Sequence, residues 1–299
     1  MKKEGIRSAA LDIIFSTVVY YLFTFKLTDW ALNNAFLASR FSFSVLSLVP
    51  QAAAITVLIL YIKLLAGAEL KEYYLSVVPK FRWILAGILS AALYAVIVLL
   101  ILPGEWTVRI GEPAVLSVLA AGWRSVRAYL LYAHYFIPLI FGIFFAALRR
   151  RTSLPAALFG VWVVVTLTDY DRIDSITDIA GMINSGILAA AVGLIAEYTG
   201  SVWSAVFYDA AHEILFDQYL IHIMPGFLHP HPDHDNILLM HVARNRDWIP
   251  NVLVIGHEVD DSVTMAIIHL LLIAYLYAKI RKREANPVIE NNSGDSSRE

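Results

Sequence analysis

The chain has 299 residues, 59% hydrophobic and 16% charged, with a mean hydropathy of +0.64 and a net charge of −2. Soluble domains are about 45–50% apolar and about a quarter charged, so this composition belongs to a chain built for lipid. The absence of cysteine excludes disulfides, thiolate metal sites and cysteine nucleophiles, and the charge balance, with no basic aromatic patch, argues against a nucleic-acid partner.

The amino terminus, "MKKEGIRSAALDIIFSTVVYYLFTFK", has the charged and apolar regions of a signal peptide but no small-residue cleavage site, and it is read as a retained signal anchor. A membrane-crossing helix needs about 20 mostly apolar residues. Eight stretches meet or approach that: 8–25, 43–62, 83–103, 129–148, 154–168, 179–196, 201–224 and 262–280. The fifth is short and the seventh carries charges. Helices satisfy their own backbone hydrogen bonds in lipid, so the predicted fold is all-α, a polytopic bundle of about eight transmembrane helices over residues 1–285. The polar tail 286–299, "ANPVIENNSGDSSRE" with its preceding alanine, has the composition of a disordered segment.

Lys and Arg in short loops set orientation. Lys2, Lys3 and Arg7 precede the first span; Lys71, Lys80 and Arg82 follow the second; Arg149, Arg150 and Arg151 follow the fourth; "KIRKRE" follows the eighth. All agree on both termini inside, in a multi-pass protein of the cell membrane surrounded by lipid. In the sixth span Ser185, Ala189 and Gly193 recur at four-residue steps, a small-residue face that lets another helix come close.

The polar residues collect toward the predicted outer side. His134 lies near the outer end of the fourth span, "TDYDRIDSITD" (168–178) follows the fifth, and His269 lies two turns into the eighth. Asp209, His212 and Glu213 occupy the seventh span within an arc of about 100°, on one helix face. A charge at bilayer depth costs roughly 3 kcal/mol, so something must compensate for it. The functional reading is an outward-opening polar cavity suited to proton transfer or to a divalent ion such as Zn²⁺; the structural reading is an acid that bonds two helices together. The outer loop 225–261 is rich in histidine. Its "LHPHPDHDN" holds His229, His231, Asp233 and His234 at the HxHxDH spacing of the metallo-β-lactamase superfamily, but without the strand that precedes that motif in a soluble sandwich. What remains is a loop whose His229, His231 and His234 are candidate metal ligands.

"SGILAAAVGLIAEYTGSVWSAVFYDAAHE" and the upstream "FGIFFAALRRRTSLPAALFGVWVVVTLTD" resemble the conserved blocks of the CPBP family of intramembrane proteases, the CAAX prenyl protease and Abi proteins, over about residues 128–215. The resemblance implies a helical membrane fold, a metal-dependent endopeptidase and a membrane protein or peptide substrate. The catalytic letters depart from the family pattern. Phe136 and Ile137 stand where the resemblance expects paired glutamates, Phe141 where it expects arginine, and Val165 and Asp169 at the FxxxH positions; Asp209 and Glu213 occupy the HxxxN positions. Two expectations follow. Either Asp169, Asp209 and Glu213, with His212 and His134, form a rebuilt catalytic or metal site, or the chain is a non-catalytic binding scaffold. A metal or proton transporter or sensor is a third class, disfavoured because the inner halves of the spans hold few ionisable residues apart from Lys63.

Overall fold

The computed structural model describes residues 2–75, 78–101, 107–110, 115–131, 134–168, 176–216, 221–225, 253–257 and 261–285. The first apolar stretch is helix α1 (Lys2–Tyr20), which continues through a π-helical segment, Tyr21–Leu27, into α2 (Thr28–Asn33). The chain turns at Asn34, whose side chain accepts from the N–H groups of Phe36 and Leu37 and so caps α3 (Ala35–Arg40). Helix α4 (Phe43–Leu60) absorbs Pro50 and ends in a second π-helical segment, Tyr61–Leu65. A 3₁₀ turn at Leu70–Tyr73 follows, closed by reciprocal bonds between Glu69 and Glu72.

The remaining helices are α5 (Arg82–Ile101), α6 (Val115–Leu131), α7 (Phe136–Arg149), α8 (Leu154–Thr168), α9 (Ile176–Thr199), α10 (Val202–Phe216) and α11 (Asp261–Ala285). Among the described residues three helical stretches, Ala9–Asn33, Phe43–Leu65 and Gly181–Thr199, are long and apolar enough to cross a membrane. The pair Gly122–Leu131 and Phe136–Arg149 makes a fourth if counted as one span.

Two expectations change in detail. The fourth predicted span, 129–148, is broken: α6 and α7 meet at a bend of 51°. Pro138 sits in the first turn of α7, where its missing N–H removes no helical bond. The helix of the seventh predicted span ends at Phe216, and Ile221–Pro225 is a strand, β2, in parallel register with β3 (Leu253–His257). The first strand of the chain, β1 (Thr107–Ile110), pairs antiparallel with β3. This small sheet joins the stretch after α5 to the two stretches between α10 and α11, so the fold is a helical bundle with a short sheet at one end.

The core is centred on α7, α9 and α10. Most of α7 is buried, as is α9 from Ala189 to Ala196. The predicted small-residue face of α9 is in use: a Cβ on Gly193 would lie 2.4 Å from the Phe145 ring. Helices α5 and α10 approach still more tightly, since a Cβ on Gly87 would lie 2.3 Å from the Tyr208 carbonyl oxygen.

At the end opposite the sheet, polar side chains clamp six segments together. Asp12 of α1, buried, accepts from the Tyr73 hydroxyl at 2.6 Å and the Tyr61 hydroxyl at 2.8 Å. Arg150 donates to the Tyr73 oxygen at 2.8 Å and pairs with Glu72 at 2.6 Å. Arg149 bonds Glu197 at 3.1 Å and Glu284 at 3.0 Å, and Glu197 also accepts from the Tyr74 hydroxyl. Tyr74 holds a left-handed backbone (φ 58°) unusual for a side chain of its size, fixed by that bond and by the Val202 N–H on its carbonyl. The Glu69 N–H, with Arg150 in support, holds the Glu72 carboxyl below the usual range; burial and Asp12 push the Tyr73 phenol up, and burial and Glu197 do the same to Tyr74.

Candidate functional site

The site is built on α10, and its register is set where α9 ends. Gly200 takes a left-handed backbone (φ 72°), the conformation that terminates helices at low cost. The Thr199 hydroxyl donates to the Ile195 carbonyl at 2.7 Å and accepts the Ser201 N–H at 3.1 Å, which fixes the turn. From there 3.6 residues per turn carry Asp209, His212 and Glu213 toward the other end of α10, on the shared face that their spacing predicts.

Asp209 and His212 are buried, whereas Glu213, one turn beyond Asp209, is exposed. The Asp209 carboxylate accepts the Tyr129 hydroxyl of α6 at 3.1 Å. His134, half-buried, stacks on the Tyr129 ring with centroids 6.0 Å apart. The His212 ring lies 6.4 Å from that of His269 on α11, also buried, and His269 meets the edge of Tyr208. The Tyr208 hydroxyl in turn shares a 2.9 Å hydrogen bond with Ser90 of α5. Tyr135 donates to Gln51 at 2.7 Å and Gln51 to the Leu131 carbonyl at 3.2 Å, tying the α6–α7 bend to α4. Thus α10 stands between two polar groupings: Asp209 with Tyr129 and His134 on the α6 side, His212 with His269 and Tyr208 on the α11 side.

Asp169, His229, His231 and His234 lie outside the described residues, as does the tail 286–299. Among the described residues no group of three or more His, Asp and Glu side chains is arranged to hold a metal ion.

Phe136, Ile137, Phe141 and Val165 sit on α7 and α8. Phe136 is fully buried and packs on Tyr20 and Tyr135. Ile137, Phe141 and Val165 line a cavity of about 290 Å³ together with Thr17, Tyr20 and Ser185.

Tyr129 is the partner that the sequence reading did not name, because nothing in the spacing of α6 shows which helix it will meet. Asp12 was missed as well, although a lone acid inside the first apolar stretch is a visible signal. No protein-family model, no curated protein and no solved structure matches the chain.

Proposed function

We propose that the protein is a multi-pass integral membrane protein of the cell membrane, crossing eight times with both termini inside, on a CPBP-like scaffold that binds an apolar membrane segment and does not hydrolyse it. One observation carries this reading. Where the resemblance expects a water-activating glutamate and an arginine, Ile137 and Phe141 face a cavity that they share with Val165. An apolar wall neither activates water nor stabilises an oxyanion, since both need a charged or dipolar group aimed at the reacting atoms. It does offer area for an apolar chain.

The two-ended distribution of polar groups supports the topology. The clamp gathers the stretches after the second, fourth and sixth predicted spans and the end of the eighth. The sheet gathers stretches after the third and seventh. Alternate loops at opposite ends are what eight crossings require.

A second reading, a rebuilt hydrolytic site, is favoured by one feature: Asp209 stays buried on a helix whose His212, also buried, lies 6.4 Å ring to ring from His269 of α11. In it Asp209 and Glu213 polarise water while His212 supplies the imidazole. Elemental analysis of the purified, detergent-solubilised chain, with a cleavage assay on a prenylated carboxyl-terminal peptide, separates the two. The scaffold reading predicts no stoichiometric transition metal and no cleavage. One metal per chain, lost in Asp209→Asn, would establish the rebuilt site instead.

A further inference from the structure

We propose that Arg82 and Arg283, gathered on the ring of Tyr198, form a binding site for the phosphate of an anionic phospholipid headgroup. The two guanidiniums come from different helices. That of Arg82, at the start of α5, lies over the Tyr198 ring at 6.0 Å from its centroid, and that of Arg283, in the last turn of α11, at 4.1 Å. Both distances are to one ring, so the two charges stand at most ~10 Å apart, about one Debye length.

Each part of the site is held in place. Arg283 donates to the Tyr198 carbonyl at 3.0 Å. Trp83, buried, meets the Tyr198 ring edge-on at 6.4 Å, and the Lys80 N–H donates to the Ser204 hydroxyl at 3.0 Å. These contacts fix the start of α5 against the end of α9 and the start of α10.

The surrounding charges select an anion. The carboxylates nearest in the chain are engaged, Glu197 by Arg149 and Tyr74, Glu284 by Arg149 and Arg281. Among the described residues Arg82 has no carboxylate partner. Lys279, exposed and one turn before Arg283 on the same face of α11, adds a third cation. A guanidinium resting on a ring keeps its edge N–H donors, and a phosphate has oxygens enough for two such forks at once.

Position selects the source of the phosphate. Phe81 and Leu85, before and after Arg82 on the way into α5, are 67% and 58% exposed, as on a helix surface that enters hydrocarbon. Cations at the end of such a helix lie at headgroup depth, where phospholipid phosphates are concentrated. The inference rests on the membrane reading alone. It holds whichever end of the bundle is inside and whether or not the chain is an enzyme.

The test is native mass spectrometry of the full chain in detergent, delipidated and then titrated with a phosphatidylglycerol. The wild type should take up one tightly held lipid, and Arg82→Gln and Arg283→Gln, both at exposed positions, should each bind about tenfold more weakly. Arg82→Lys, which keeps the charge and loses the fork, should fall between. Arg151→Gln, which removes an exposed cation of the same end outside the site, should bind as the wild type does. Wild-type affinity in either glutamine variant of the pair would overturn the proposal. Equal weakening by Arg151→Gln would overturn it too, by showing a diffuse positive surface. So would displacement of the lipid by inorganic phosphate at the same concentration, which would show a site for soluble anions.

Discussion

Among the described residues the bundle buries two carboxylates, Asp12 and Asp209, and tyrosine hydroxyls satisfy both. An unpartnered buried polar group costs about 1–3 kcal/mol, so each acid is as valuable as the bonds it accepts. Asp12→Ala orphans two hydroxyls at once and should cost about 3 kcal/mol in detergent unfolding, whereas Asp12→Asn, which still accepts, should cost less than half of that. For Asp209 the order of effects decides its role. As helix glue, Asp209→Asn should change stability by less than about 1 kcal/mol, and Tyr129→Phe, which strips a donor from a buried charge, should cost about 2 kcal/mol. The reverse order would mean that the charge itself is used. The clamp also titrates. Tyr73 and Tyr74 remain neutral in the fold above pH 10, where the free phenols ionise, so their contribution is complete below pH 10 and declines as pH rises past it. Unfolding midpoints measured from about pH 9 to pH 11 should fall, and fall less steeply in Tyr73→Phe.

At the scale of elements, the helices that follow from local signals were legible. Helix α8 covers the stretch predicted for it, 154–168, because "RRRTS" stops one apolar run and Leu154 begins the next. The α6–α7 bend was not legible, since hydropathy over residues 129–148 averages across a break. The sheet was not legible either: its strands are short, and their partners lie far away in the chain. In the candidate site, the common face of Asp209, His212 and Glu213 follows from helical geometry on one element, while Tyr129 and its distance do not. The closeness of α5 and α10 depends on Gly87, where a methyl group would meet backbone, not a side chain able to move. Gly87→Ala should therefore cost more than about 2 kcal/mol despite alanine's better helix propensity, read as a lower melting temperature in detergent.

For the whole molecule, the account rests on one arrangement: a clamp of Arg149 and Arg150 with their acidic and phenolic partners at one end, where four predicted inner segments converge, and the Asp209 grouping toward the other. Without that separation neither the outward-facing site nor the eight-crossing scaffold stands. Because the chain has no cysteine, a single introduced thiol is a clean reporter of sidedness. Arg151 and Glu213 are both exposed and stand at the two ends in question. The measurement is labelling of Arg151→Cys and Glu213→Cys in intact cells with a membrane-impermeant maleimide, before and after permeabilisation. The account predicts that Glu213→Cys reacts at once and that Arg151→Cys reacts only after the membrane is opened. Labelling of both from the same side would contradict it.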